Sequence, residues 1–304
     1  MLFRSSRSQA RADDFAKRYK ARHAYTNYDD LLKNPEVTVV AIHTPNAQHA
    51  EQAIAAARAG KHVFCDKPMA TSAADAERIV RECEKAGVTL GVNFHNRQMP
   101  CFIETRRIVQ SGEIGNVIMV QLEASAGLHA ASVAATWRQD PSQAGLGTSM
   151  NVGTHVYDIL RYIINAEIVM VSAMFETPPG VMETTSLTTF KFANGAMAQL
   201  NVNQSMPDPH NDFVIYGTKG RITGRGLTRS RAGGVMHVHR NDGTSRTEQY
   251  PAINAHEACV IDFSKAILEG RAPAATGIDG LRSVQLTDAM KKSAWEGVHV
   301  RLAG

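Results

Sequence analysis

Three short apolar runs separated by helical stretches, all within the first hundred residues, constrain this chain more than any other feature. "VTVVAI" (37–42) is apolar but for Thr38, as a parallel strand covered on both faces would be. Behind it, "AQHAEQAIAAARA" (47–59) reads as a helix ended by Gly60. "HVFCD" (62–66) is the next strand. "TSAADAERIVRECEKA" (71–86) is the next helix, with Ser72 and Asp75 near its start and Gly87 at its end, and "VTLGVNF" (88–94) returns to strand. The opening follows the same plan, a strand end running into the helix "QARADDFAKRYKA" (9–21). Such alternation specifies an α/β, doubly wound parallel sheet.

Open sheets of this kind bind ligands at the C-terminal ends of their strands. "HTPNAQH" (43–49) and "CDKP" (65–68) stand at two adjacent strand ends. Pro45 and Pro68 stiffen those turns and hold their neighbours Asn46 and Lys67 in fixed directions. A dinucleotide-binding sheet starts with a strand, a Gly-x-Gly-x-x-Gly turn and a helix, and places its ribose-reading residue about 20 residues later, at the end of the second strand. This sequence starts at what reads as that second strand, so the expectation is a Rossmann-type domain without its first βα unit or its glycine-rich pyrophosphate anchor. At the strand tip stand Ser6, Arg7 and Ser8, where Asp or Glu would read the ribose of NAD. A guanidinium flanked by hydroxyls suits a 2′-phosphate, which favours NADP with NAD still possible; the plainer alternative is a helix start capped by Ser8. The one near match to the glycine fingerprint, Gly145-Leu146-Gly147, lies far from the parallel sheet and reads as a loop before a helix.

Beyond residue 98 the pattern changes to a helix (101–112) and then to strands joined by tight turns. Asn194-Gly195 favours a two-residue type I′ hairpin and Asp242-Gly243 marks a second turn. Two helices close the chain, one starting at Asn254 with Glu257 as its capping pair, the other near Asp279. The expected division is 1–97, nucleotide-binding, and 98–304, an α+β domain with a largely antiparallel open sheet. Within "WRQDPSQAGLGTSMNVGTHVYDILRYI" (137–163), a helix capped by Thr148 or Ser149 carries a core stripe of Val152, Val156, Ile159, Leu160 and Ile163. Asn151, His155 and Asp158 share a second face, either solvated or functional. Gly153 inside that helix costs about 1 kcal/mol against Ala, which makes sense if something approaches the backbone closely.

Composition removes several other functions. With 33 basic against 29 acidic residues and no run of Lys or Arg, nucleic acid is not an expected partner. Cys65, Cys83, Cys101 and Cys259 lack metal spacing, so no metal centre or disulfide is expected and the thiols suit a reducing compartment. No run approaches the roughly 18 apolar residues of a membrane span, so the expectation is a cytoplasmic protein without membrane attachment.

Taken together, "SRSQARADDFA", "HTPNAQH", "CDKPMA", "NFHNRQMP", the 137–163 stretch, "VIYGTKGRI" and "DGLRSVQLTDAMKKSAWEG" resemble the glucose-fructose oxidoreductase, inositol dehydrogenase and rhizopine-catabolism oxidoreductases, the Gfo/Idh/MocA family. The resemblance runs through nearly the whole chain. It implies NAD(P)-dependent hydride transfer to or from a secondary alcohol or ketone of a sugar, cyclitol or related polyol, and a homo-oligomer formed through the C-terminal sheet. The family's Glu-Lys-Pro motif falls on Asp66, Lys67 and Pro68, and its Asp-x-Gly-x-His-x-x-Asp motif on Asn151, Gly153, His155 and Asp158. Asp at 66 keeps the charge on a shorter arm; Asn at 151 removes one beside the presumed catalytic histidine. The implied roles are His155 as proton acceptor, Lys67 as stabiliser of the alkoxide, Asn151 as a group orienting the ring with no charge of its own, and Asp158 as binder of a substrate hydroxyl. Thr44, Pro45, Asn46, His49, Asp66 and Asn93 would line the cofactor, with Arg97, Trp137 and Arg138 beside the substrate. The competing reading is a ligand sensor or scaffold that keeps the fold and, lacking the glycine loop, not the chemistry.

Overall fold

The computed structural model describes residues 3–5, 8–126, 136–228 and 233–302. Its first layer runs β1 (Phe3–Ser5), α1 (Gln9–Tyr19), β2 (His23–Tyr25), α2 (Tyr28–Lys33), β3 (Val39–Ile42), α3 (His49–Arg58), β4 (His62–Cys65), α4 (Ala73–Ala86) and β5 (Leu90–Val92). β1 pairs parallel with β2, and β3, β4 and β5 form a separate parallel sheet in that order. Local chemistry explains the boundaries. Ser72 caps α4 by accepting the Asp75 amide at 3.2 Å, and Gly87 ends it at φ 66°. Val40 and Ile42 are buried, whereas Val39 and Ala41 on the opposite face are exposed. The run 37–42 is therefore covered on one face, and the expectation of cover on both is corrected: the packed side faces the helices α3 and α4, through Ala53, Ile54, Ala57, Ile79 and Val80.

The second layer contains α5 (Pro100–Gln110), β6 (Val117–Ser125), α6 (Pro141–Ala144), α7 (Thr154–Ile164), β7 (Ile168–Phe175), β8 (Thr185–Phe192), β9 (Met197–Asn203), β10 (Phe213–Gly217), β11 (Gly220–Arg225), β12 (Gly234–Arg240), β13 (Ser245–Tyr250), α8 (Ala255–Glu269), α9 (Gly277–Glu296) and β14 (Val300–Arg301). Its sheet has the order β13-β12-β11-β10-β6-β9-β8-β7-β14, antiparallel except for the β6–β9 pair. One face packs on α5, α7 and α9 through Phe102, Ile108, Ile159, Leu160, Phe190, Phe192 and Met290. The other leaves Ile118, Met174, Leu187, Met197 and Tyr216 exposed.

The hairpin loops differ from expectation. Gly195 takes φ 91° while Asn194 does not enter the positive region; the Gly195 amide donates to the Phe192 carbonyl at 3.0 Å and the Phe192 amide to Ala196 at 2.8 Å. That is a longer loop, with a turn followed by a left-handed glycine, in place of the two-residue type I′ form that needs positive φ at both positions. Gly243, at φ 89°, repeats the arrangement after Asp242. The C-terminal helices begin within a few residues of the expected positions. Asn254 accepts the Glu257 amide, and Thr276 with Asp279 forms a capping box that starts α9 at Gly277. This last helix joins the layers: Ala275 and Val284 belong to the core beneath β3–β5, the Val92 amide donates to the Ala275 carbonyl at 3.1 Å, and Asp288 accepts the Ala73 amide at 2.8 Å. Among the described residues, no helix is long and apolar enough to cross a membrane.

Candidate active site

The ends of β3 and β4 deliver two loops to the junction of the layers. A cavity of about 180 Å³ lies there, lined by Thr44, Asn46, Asp66 and Lys67 from the parallel sheet and by Trp137, Arg138, Leu146 and Asn151 from the second layer. Residues from "HTPN", "DKP", "WR" and "SMN" thus meet across about a hundred positions of sequence. His43, Pro68, Ala144, Gly147 and Gln204 complete the lining.

Lys67 is the centre of this arrangement. Its ammonium donates to the Asn151 carbonyl at 2.5 Å. Burial lowers its pKa to about 8, with Arg138 adding to the shift and Asp66 opposing it. The Asp66 carboxyl is held below the usual range: burial works against its charge and is outweighed by the His43 ring at 3.4 Å, the Lys67 ammonium and the Lys67 amide at 2.9 Å. Asn93 donates its amide nitrogen to Asp66 at 3.2 Å, and its own side-chain oxygen is buried without a hydrogen-bond partner. Asn46 donates across the junction to the Ala144 carbonyl at 2.9 Å.

His155 follows a π-helical stretch, Ser149–Gly153, which leads directly into α7. One-turn π segments recur at functional sites because they re-aim the following side chains. The close approach expected at Gly153 is real, since a Cβ there would overlap the Tyr157 hydroxyl. Burial, the Lys67 charge and the neighbouring His95 and His256 rings, in that order, keep the His155 pKa well below its usual value. The His95 ring lies edge-on to His155 with centroids 4.4 Å apart. At neutral pH His155 is therefore a neutral imidazole able to take a proton, and its weak basicity comes first from burial. Asn151 contributes its backbone carbonyl to Lys67 in place of the ring-orienting contact expected of its side chain.

Four expected site residues are engaged by partners within the protein. Asp158 gives both oxygens to Arg97, which donates from Nε at 2.8 Å and from Nη2 at 2.6 Å. Arg97 also reaches Asp279 and the Ala274 carbonyl. Asp158 and Arg97, at 1% and 7% exposure, fasten α7 to α9 and to the 95–98 turn, so neither is available to a substrate hydroxyl. His49, 1% exposed, has one ring nitrogen 2.8 Å from the Pro68 carbonyl and the other 2.9 Å from the Thr44 carbonyl; it clamps the two strand-end loops together and does not line the cavity. Thr44 donates its hydroxyl to Gln52 at 2.8 Å. Ser6 and Arg7 lie outside the described residues. The expected caps Thr148 and Ser149 make no side-chain capping bond; the buried Glu183 carboxylate accepts the Gly147 and Ser149 amides instead. Nothing local in the sequence marks Glu183, which lies more than thirty residues away. Among the described residues no cluster of His, Cys, Asp or Glu could hold a metal ion.

A strand-end cavity lined by Thr44, Asn46, Asp66 and Lys67, with Asn93 hydrogen-bonded to Asp66 behind it and His155 one turn beyond the lining residue Asn151, suits a nicotinamide-dependent oxidoreductase. The chain belongs to the Gfo/Idh/MocA oxidoreductases: residues 5–94 match the oxidoreductase family model with an NAD-binding Rossmann fold, and residues 102–223 match the GFO/IDH/MocA C-terminal domain. It is 30% identical to 1,5-anhydro-D-fructose reductase of Ensifer adhaerens over 96% of this chain and 88% of that protein. It is 27% identical to myo-inositol 2-dehydrogenase of Thermotoga maritima over 92% and 84% of the two chains. Among solved structures, aldose-aldose oxidoreductase of Caulobacter crescentus complexed with glycerol superposes with TM-score 0.88 at 28% identity, covering 98% of this chain and 90% of that one. Levoglucosan dehydrogenase in complex with NADH and levoglucosan gives 0.89 at 26%, covering 99% and 90%. The chain is accordingly an oxidoreductase acting on CH–OH groups, of the NAD(P)-dependent sugar and polyol class.

Proposed function

We propose that this protein interconverts a secondary alcohol and a ketone on a sugar, cyclitol or related polyol, with NADP preferred over NAD, Lys67 and His155 handling the reacting oxygen. The observation that carries the reading is the meeting of Lys67 with the Asn151 carbonyl at the cavity, one turn before His155. Thr44, Pro45, Asn46, Asp66 and Asn93 would hold the cofactor, Trp137 and Arg138 the substrate, and Arg7 between Ser6 and Ser8 the 2′-phosphate. When bound, the nicotinamide supplies the carbon that accepts or gives the hydride. In the oxidation direction, His155 takes the hydroxyl proton while the Lys67 ammonium donates to the same oxygen and favours its anionic form. In reduction the same groups return the proton. Residues 1–97 form the nucleotide-binding unit and 98–304 the substrate unit, with α9 bridging them.

The test is a fluorescence titration with NADPH and NADH, followed by assays of 1,5-anhydro-D-fructose reduction and of levoglucosan, myo-inositol and D-xylose oxidation. Saturable binding tighter for NADPH, with turnover of one of these compounds, is expected. Tighter NADH binding overturns the cofactor preference; binding of neither by the folded protein favours a non-catalytic role. The exposed sheet face with Met174, Leu187 and Met197 supports a homo-oligomer closed through that face. Leu187→Glu combined with Met174→Lys is expected to give a folded monomer in analytical ultracentrifugation where the unmodified protein sediments as an oligomer.

A further inference from the structure

Glu183 follows a segment that approaches β8, far in sequence from the catalytic candidates, and is fully buried. Its carboxylate accepts the Gly147 amide at 2.7 Å and the Ser149 amide at 2.8 Å, and its carbonyl accepts the amide between them, Thr148, at 2.9 Å. Three consecutive amides of one loop are thus satisfied by one residue. The fit is close, since a Cβ at Gly147 would overlap the Glu183 carbonyl oxygen. These amides open the π-helical segment, whose Asn151 carbonyl receives the Lys67 ammonium and whose end leads into the turn carrying His155. A short hydroxyl cap would satisfy one amide; a carboxylate spanning two fixes the direction of the segment as well.

We infer that Glu183 is a positioning residue for the reaction: by holding the 147–149 amides it sets the π segment so that the Asn151 carbonyl meets Lys67 and His155 faces the same reacting oxygen. The inference rests on the reading of Lys67 and His155 given above. It goes beyond holding the fold, because Glu183 touches neither reacting group and acts on both through one rigid segment. A displacement of about 1 Å in such a segment costs on the order of 10²-fold in rate.

Glu183→Gln tests it. The amide keeps the volume and one acceptor, and turns an N–H donor toward a backbone N–H. With 1,5-anhydro-D-fructose and NADPH, kcat is expected to fall by about 10²-fold while the NADPH dissociation constant stays within about twofold. A second measurement needs no substrate: the Lys67 amine, labelled by reductive ¹³C-methylation, is titrated by NMR. Its ammonium loses the Asn151 acceptor that favours the charged form, so its midpoint is expected to move down from about 8. A lower melting temperature with unchanged kcat per coenzyme-binding site and an unchanged Lys67 midpoint would mean a purely structural role and would overturn the proposal. Glu183→Asp, which keeps the charge and withdraws both oxygens by one methylene, carries the same readouts should the Gln variant fail to fold. Lys67→Ala is assayed beside them. Full activity there overturns the functional reading itself, whereas an inactive Lys67→Ala with a fully active Glu183→Gln overturns the positioning role alone.

Discussion

Lys67→Ala is expected to lower kcat by on the order of 10²–10⁴-fold with the thermal unfolding midpoint little changed. The reason lies in what the side chain contacts. Its ammonium makes one strong hydrogen bond, to the Asn151 carbonyl, at the edge of a cavity already lined by polar groups. Removing it leaves a carbonyl facing that cavity and no buried charge without a partner. The pH profile gives the prediction its second edge. With a pKa of about 8, Lys67 is mostly ammonium at pH 7 and loses its proton as pH rises through 8, so alcohol oxidation should decline on an alkaline limb near that value. His155 is held well below its usual value by burial and by the Lys67 charge, so it stays neutral and proton-accepting to well under pH 6.5, and the acidic limb should lie there. Lys67→Arg should carry the alkaline limb out of the accessible range in whatever activity it keeps, because a guanidinium does not lose its proton. Initial rates from pH 5 to 10 check all three points. A profile for the unmodified protein that is flat through pH 8, or an active Lys67→Ala, would remove Lys67 from the chemistry.

Much of this site was legible because strand-end loops carry their signals locally. Pro45 and Pro68 mark stiff turns after apolar runs, and Lys67 comes with its turn. His155 was legible through periodicity, as one of three polar residues sharing a helical face beside an apolar stripe. What the pattern could not separate was the surroundings of the three: Asn151 lines the cavity, His155 is half-buried one turn further on and outside that lining, and Asp158 points into a buried ion pair with a residue sixty positions away. Glu183 was illegible for the same reason, since its partners are backbone amides, which leave no residue-type signature. The strand 37–42 failed differently. Apolar run length reports suitability for burial, and Val39 and Ala41 are exposed on their side of the sheet. At Asn194-Gly195 the dipeptide located the turn correctly, but a left-handed glycine serves both the two-residue and the longer loop, so the loop length was decided by the pairing of Lys191 with Met197.

A large loss of stability is expected from Asp158→Asn, and it separates two roles for that residue. In the structure Asp158 is 1% exposed, and both of its oxygens receive Arg97, which also contacts Asp279 at 2.8 Å. Arg161 links the same Asp279, at 3.3 Å, to Glu167 at 2.6 Å. Removing one charge of a buried pair leaves the other desolvated and incompletely neutralised, which costs about 3–5 kcal/mol, although the intact pair adds little net stability. For a chain of 304 residues that corresponds to a fall in the melting temperature of roughly 5–8 °C. Asp279 remains on Arg97, so Asp158→Asn should fall in the lower part of that range and Arg97→Ala, which strands two carboxylates, in the upper part. Arg97→Met combined with Asp158→Leu removes both charges and should recover most of the loss, the sign of a pair that holds α7 to α9 through specificity of fit more than through net attraction. A residue that bound a substrate hydroxyl would behave in the opposite way: Asp158→Asn would raise KM several-fold, leave the melting temperature near that of the unmodified protein, and gain nothing from a second substitution at Arg97. Thermal melts of the three variants with substrate saturation curves on each distinguish these outcomes. Because α7 carries His155 three residues before Asp158, a loosened pair should lower kcat in proportion to the displaced fraction of that helix while leaving the alkaline limb set by Lys67 in place.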